Sequence, residues 1–141
     1  MKYHFKIRRE KKGFWAECFE IPACITQGDT REELQENMQD ALHTYLEEPE
    51  GSQYIAPLPK RSIKTSRNVV EVPVDSSVAL AFSLRRERIK NGITQQEAAE
   101  RLGMKGLYSY QRLEKKCNPK LEMIFRIVSL FPALSLDRVL R

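Results

Sequence analysis

Three cysteines, two histidines and 19 carboxylate side chains are the groups with which this chain of 141 residues could do covalent or metal chemistry. Their spacing supports little of it. Cys18, Cys24 and Cys117 are odd in number and form no Cys-x-x-Cys pair, which excludes a disulfide scaffold and a zinc ribbon. His4 and His43 stand singly, without a nucleophile pattern nearby, and single histidines seldom suffice for a site. Glu17, Glu20, Asp29 and Asp40 follow no ligand spacing, and isolated acidic residues of this kind are usually a solvated surface. What remains is electrostatics. Residues 1–75 carry 11 Lys/Arg against 13 Asp/Glu, a net charge of −2, whereas residues 76–141 carry 13 against 6, a net of +7. The basic half is a candidate for phosphate backbones, and the acidic half implies a partner of different charge.

The elements that would carry these groups follow from composition and period. A content of 41% hydrophobic and 30% charged residues is that of a globular chain with room for one ordinary domain or two small ones. No apolar run approaches a membrane span, and Lys2, His4 and Lys6 interrupt what could otherwise open a signal peptide. A reducing cytoplasm is the expected setting.

In the acidic half, Tyr3, Phe5 and Ile7 alternate with Lys2, His4, Lys6 and Arg8, the period of a strand with one dry and one wet face. A turn over residues 10–13 with Gly13 at its end leads into a second strand, Phe14 to Phe19, stopped by Pro22. A third short strand is expected at Cys24–Gln27. Thr30 and Glu33 form a capping box ahead of a helix over residues 30–48, with Leu34, Met38, Ala41, Leu42, Tyr45 and Leu46 on one stripe. Pro49 and Gly51 should end it. A loop follows over the sheet, then a last strand at 67–74 whose Pro73 marks it as an edge or terminus.

The basic half reads as short helices. Ser76 or Ser77 can cap the first, which runs to about Asn91 and stops at Gly92, with Arg85, Arg86 and Lys90 projecting from it. Thr94 and Glu97 cap the second, Gly103 ends it, and a third starts after Lys105 or Gly106 with Tyr110 and Leu113 inward. Pro119 opens a fourth, capped by Asn118, whose apolar stripe is Leu121, Ile124, Phe125, Val128 and Phe131. A last short turn covers residues 135–140. Such helices joined by a tight glycine turn match a helix-turn-helix bundle. The fold class expected is therefore α+β: a small β-β-β-α-β sheet domain at 1–75 and an all-α domain at 76–141.

Two family resemblances refine this. Gly13-Phe14-Trp15-Ala16, Glu20-Ile21-Pro22, Thr26-Gln27-Gly28-Asp29-Thr30 with Glu33, and Asp40-Ala41-Leu42 follow one another in the order of the HicB antitoxin domain, which residues 2–75 resemble. That resemblance implies a cut-down RNase H-like sheet lacking the nuclease centre. It also implies a function: inhibiting a small, basic ribonuclease toxin, HicA. Residues 2–9 contain no carboxylate, whereas metal-dependent RNase H chemistry needs one there, so no catalytic residue, metal or cofactor is expected. Glu17, Glu20, Asp29 and Glu47 are candidates for the toxin-binding face.

The string Gly92-Ile93-Thr94-Gln95-Gln96-Glu97-Ala98-Ala99-Glu100-Arg101-Leu102-Gly103, with Leu113-Glu114 and Asn118-Pro119 beyond it, resembles the phage-repressor and Cro type of helix-turn-helix. It departs from that pattern by one extra residue between Gly103 and Leu113 and one fewer after Glu114. The resemblance implies a recognition helix presenting Leu107, Tyr108, Ser109, Gln111 and Arg112 to base edges of double-stranded operator DNA. It places Gln95 at a phosphate-gripping helix start, with Lys105, Lys115 and Lys116 as further backbone contacts. It also pairs Arg88 with Glu114 in a buried, bidentate bridge. The implied protein is an antitoxin that represses its own operon, as a homodimer or higher homo-oligomer. The expected dimer surface is the apolar end at Leu134, Leu136 and Val139, or a sheet edge. The alternatives are a stand-alone DNA-binding transcriptional regulator whose first domain binds a ligand or another protein, and a residual nuclease.

Overall fold

The computed structural model describes residues 1–47 and 52–141. The chain divides into two compact units, Met1–Val74 and Asp75–Arg141. The class is α+β: the described residues form one four-stranded antiparallel sheet and six helices.

In the first unit, strands β1 (Lys2–Arg9), β2 (Phe14–Cys18) and β3 (Ile25–Gly28) precede helix α1 (Arg31–Leu46) and strand β4 (Val69–Pro73). The sheet order is β3-β2-β1-β4. The β1–β2 hairpin closes where the Glu10 amide donates to the Gly13 carbonyl at 3.0 Å, with Gly13 at φ 91°. Its register pairs Phe5 with Cys18 and Ile7 with Ala16, so the dry side chains of both strands share a face. Tyr3, Phe5, Ala16, Cys18 and Val72 are buried there with Leu34, Met38, Leu42 and Leu46 of α1. Pro73 lies on edge strand β4, at the end of its ladder opposite Lys2.

Helix α1 starts as the sequence dictates. The Thr30 hydroxyl accepts from the Glu33 amide at 3.1 Å, and the Glu33 carboxylate reaches back to the Asp29 amide at 2.9 Å. It ends at Leu46, with the Glu47 amide bonded to the His43 carbonyl. The expected stop at Pro49 and Gly51 lies outside the described residues. The loop does fold onto the sheet: Tyr3 donates its hydroxyl to the Pro57 carbonyl at 2.8 Å, and the Lys60 amide donates to Glu20 at 3.1 Å.

The second unit holds α2 (Ser76–Lys90), α3 (Gln95–Arg101), α4 (Leu107–Lys115), α5 (Leu121–Leu130) and α6 (Leu136–Leu140). Helix α2 packs on α4 and α6, and residues 78–85 are buried without interruption. Arg85 is therefore buried, not projecting as expected. Two turns of one kind join α2 to α3 and α3 to α4. After α2, Gly92 (φ 65°) donates to the Ile89 carbonyl and Ile93 to that of Arg88; after α3, Gly103 (φ 69°) donates to Glu100 and Met104 to Ala99. Both are Schellman closures, which require the left-handed backbone that glycine adopts most readily.

Two helix starts differ from expectation. Asp75, not Ser76 or Ser77, holds the N-cap position of α2, and α5 begins at Leu121 after Lys120, so Asn118 and Pro119 belong to the connection before it. The stripe over α5 is only partly inward: Phe131 is buried as expected and Ile124 and Val128 are half-buried, whereas Leu121 and Phe125 face solvent and Ile127, outside the stripe, is buried. Leu134 and Val139, expected at a dimer surface, are buried within the fold.

Candidate nucleic-acid interface

Helix α4 is held by its last turn. Glu114 points inward and takes four hydrogen bonds: two from the Arg88 guanidinium, through Nε and through Nη2 at 3.2 Å, one from the Tyr110 hydroxyl at 2.7 Å and one from Gln95 Nε2 at 2.9 Å. Arg88 also donates to the Ile93 carbonyl at 3.0 Å. Side chains of the ion pair are 6% and 5% exposed. Burial alone would make Arg88 give up its proton more easily, but the hydrogen bonds and charge of Glu114 outweigh it and hold the guanidinium above its ordinary range. Burial beside Glu114 pushes Tyr110 up in the same way, so it stays a donor. These contacts tie α2, the start of α3 and α4 through one carboxylate.

The opposite side of α4 is open. Tyr108 is 72% exposed and Leu107 37%, and Ser109, Arg112 and Lys115 are exposed with them. Ser109, Arg112, Lys115 and Lys116 line a single groove with Ser77, Leu113 and Asn118. Lys105 is exposed in the turn ahead of α4. Among the described residues none of Lys105, Arg112, Lys115 and Lys116 takes part in an ion pair. A groove with several unneutralised cations beside a convex helix suits a polyanion with a groove of its own.

Gln95 and Gln111 are placed differently from the other candidates. Gln111 is half-buried and donates Nε2 to Gln95 Oε1 at 3.3 Å. Gln95 thus joins the Glu114 carboxylate to the exposed helix, which its position at the start of α3 did not disclose. A side-chain chain of this kind depends on which residues meet in space, and nothing in sequence spacing reports it.

The candidate toxin-face residues are scattered. Glu17 sits on β2 opposite Lys6 and Ile25, on the sheet face away from α1. Asp29 and Glu47 flank opposite ends of α1, whose 16 residues span about 24 Å. Glu20 leaves the set: its side chain is 0% exposed. It accepts from the His4 amide (3.0 Å), His4 Nδ1 (2.7 Å) and the Lys60 amide (3.1 Å), so it is an internal acceptor rather than a docking charge. Desolvation raises its pKa, but these donors win and its carboxyl lies below the ordinary range. Among the described residues no group of three His, Cys, Asp or Glu could hold a metal ion, and no helix is long and apolar enough to cross a membrane. Cys18, Cys24 and Cys117 are buried, and desolvation pushes their thiols up to about 12, 11 and 12.

A helix closed by a left-handed glycine, a second helix crossing behind it and a cation-bearing outer face define a DNA-binding helix-turn-helix protein, here with an α+β unit ahead of it. Residues 84–139 match the helix-turn-helix family model. The relatives go further. Antitoxin HicB of Escherichia coli K12 is 33% identical over 131 residues, spanning 90% of this chain and 79% of that protein. Antitoxin HicB 1 of Photorhabdus laumondii is 30% identical over 120 residues, 85% and 74% of the two chains. Antitoxin HicB of Pseudomonas fluorescens is 27% identical over 103 residues, 73% and 69%. The chain belongs to the HicB antitoxin family.

Proposed function

We propose that this antitoxin neutralises a HicA-type ribonuclease toxin through residues 1–75 and represses its own operon through residues 76–141, acting as a homo-oligomer. The observation that carries the DNA half is the outer face of α4: Tyr108, Ser109 and Arg112 are exposed on a helix whose inner side is fixed by a saturated Glu114. Arg112 can give two parallel donors to a guanine edge, Ser109 can pair with several bases, and Leu107 or Tyr108 can meet a thymine methyl. Lys105, Lys115 and Lys116 grip phosphates on either side. Gln95 acts here by holding Gln111 and Glu114 rather than as a separate phosphate clamp.

The toxin half rests on charge. Glu32, Glu36 and Asp40 are exposed on α1 at spacings of four, so they share one side of the helix, and Glu47 is exposed at its C-cap. Among the described residues none of them is in an ion pair. That ridge suits a basic protein partner, with Asp29 at its edge, while Glu17 lies on another face and Glu20 is internal.

Copurification tests the toxin half. The tagged chain, coexpressed with the small basic protein encoded beside it, should retain that protein in high salt and suppress its RNA cleavage. Recovery of the chain alone, with cleavage unchanged, would leave only the DNA-binding regulator.

A further inference from the structure

We propose that the face of the sheet turned away from α1, with the basic loop at its rim, binds a single-stranded nucleic acid. This activity is separate from the operator and the toxin, because it uses neither α4 nor the acidic ridge. Charge is segregated inside the first unit. Of the eleven Lys and Arg residues of Met1–Val74, ten lie outside α1: six between Lys2 and Lys12 and four between Lys60 and Arg67. All ten are exposed, and among the described residues only Lys2 is in an ion pair, with Glu71 at 3.6 Å. Glu10 is the one carboxylate in the first stretch, and residues 52–70 contain none. The backbone gathers these cations along β1. The Lys60 amide bonds Glu20, which holds His4, and the Asn68 carbonyl accepts from the Ile7 amide at 2.8 Å. The loop is thereby tied to β1 at two positions about 10 Å apart.

Flat groups select the occupant. The register places Lys6 and Arg8 of β1 on the same face as Glu17 and Trp15 of β2 and Ile25 and Gln27 of β3. The Arg8 guanidinium lies over the Trp15 ring, 5.3 Å from its centroid. Trp15 is half-buried, Gln27 is exposed and Ile25 is 47% exposed. A single strand uses this whole combination: cations that follow its backbone, planes on which unstacked bases lie, and an amide beside them for base edges. A duplex keeps its bases stacked inside and has no use for the Arg8–Trp15 stack. An acidic protein segment would engage the cations alone. The carboxylates on this face are few: Glu71 is taken by Lys2, and Glu17 stands opposite Lys6.

Trp15 is the only tryptophan of the chain, so its emission reports this face rather than the helical unit. The full chain is titrated with oligouridylate, oligothymidylate and poly-glutamate at low salt, as parent, Lys6→Glu, Arg67→Glu and Lys115→Ala. The substituted side chains are exposed, and circular dichroism checks that the variants fold. An oligonucleotide should quench the emission saturably, with an affinity that falls as salt rises, and the tighter of the two identifies the strand as RNA or DNA. Lys6→Glu and Arg67→Glu should each raise Kd about tenfold, while Lys115→Ala keeps the parent's value. No quench by either oligonucleotide, an equal quench by poly-glutamate, or a quench lost in Lys115→Ala and kept in Lys6→Glu would overturn the proposal.

Discussion

Glu114 collects four hydrogen bonds in a space that excludes water, and that makes its loss costly in a way its charge alone would not. Glu114→Ala leaves the Arg88 guanidinium buried without its counter-ion and takes an acceptor from Tyr110 and Gln95. The expected cost is about 3–5 kcal/mol in the urea transition of the helical unit. Replacing both charges, Arg88→Met with Glu114→Leu, should recover most of that, because an apolar pair has no desolvation cost to recoup. Glu20 invites a pH experiment. Its folded pKa is depressed, so its stabilisation is present above the unfolded carboxylate value of about 4.3 and is lost as pH falls through the folded value. Thermal melts of the parent should therefore fall steeply below about pH 4, and Glu20→Gln should start lower at pH 7 and show a shallower acid limb. A parent-like slope in the variant would assign the acid limb to other carboxylates. The inward position of Arg88 and Glu114 was legible because a known motif fixes both places. That of His4 and Glu20 was not: β1 alternates cleanly, and a distant loop, through Lys60, contributes to the site at Glu20.

At the scale of elements, local chemistry was the readable part. Thr30 and Thr94 cap α1 and α3, and Gly92 and Gly103 end α2 and α3, since these signals depend only on nearby backbone. The orientation of α5 was not readable. Leu121, Ile124, Phe125, Val128 and Phe131 make a good stripe, but of these only Phe131 is buried, while Leu121 and Phe125 face solvent and Ile127, outside the stripe, is buried instead. Hydrophobic period shows that a helix has an apolar face without saying whether its own chain or a second one covers it. Gly28 shows how β3 and α1 fit. A Cβ there would lie 2.7 Å from the Leu34 amide nitrogen and 2.9 Å from its Cα, both backbone atoms that cannot step aside. Gly28→Ala should therefore destabilise the sheet unit by about 1–3 kcal/mol in denaturant melts while leaving the helical unit's transition in place. An unchanged melt would mean that α1 can shift away from β3 at no cost.

Across the whole molecule, the charge divides as −1 over Met1–Val74 and +6 over Asp75–Arg141, the two compact units, with an acidic ridge along α1 in one and an open basic groove beside α4 in the other. Binding by the basic unit should be strongly salt-dependent, and Lys115→Ala should weaken it on any sequence and reduce the slope of log K against log salt by about one. Arg112 should behave differently, because the proposed function gives it base edges rather than phosphates. The most direct measurement is a fluorescence-anisotropy titration of a duplex from the chain's own promoter, against a scrambled duplex, with the parent and Arg112→Ala. The parent should prefer the promoter by about 10³-fold or more, and the variant should lose about 1–3 kcal/mol on the promoter with much less change on the scrambled duplex. An Arg112→Ala protein that bound the promoter as tightly and as selectively as the parent would contradict the assignment of α4 as the helix that reads DNA.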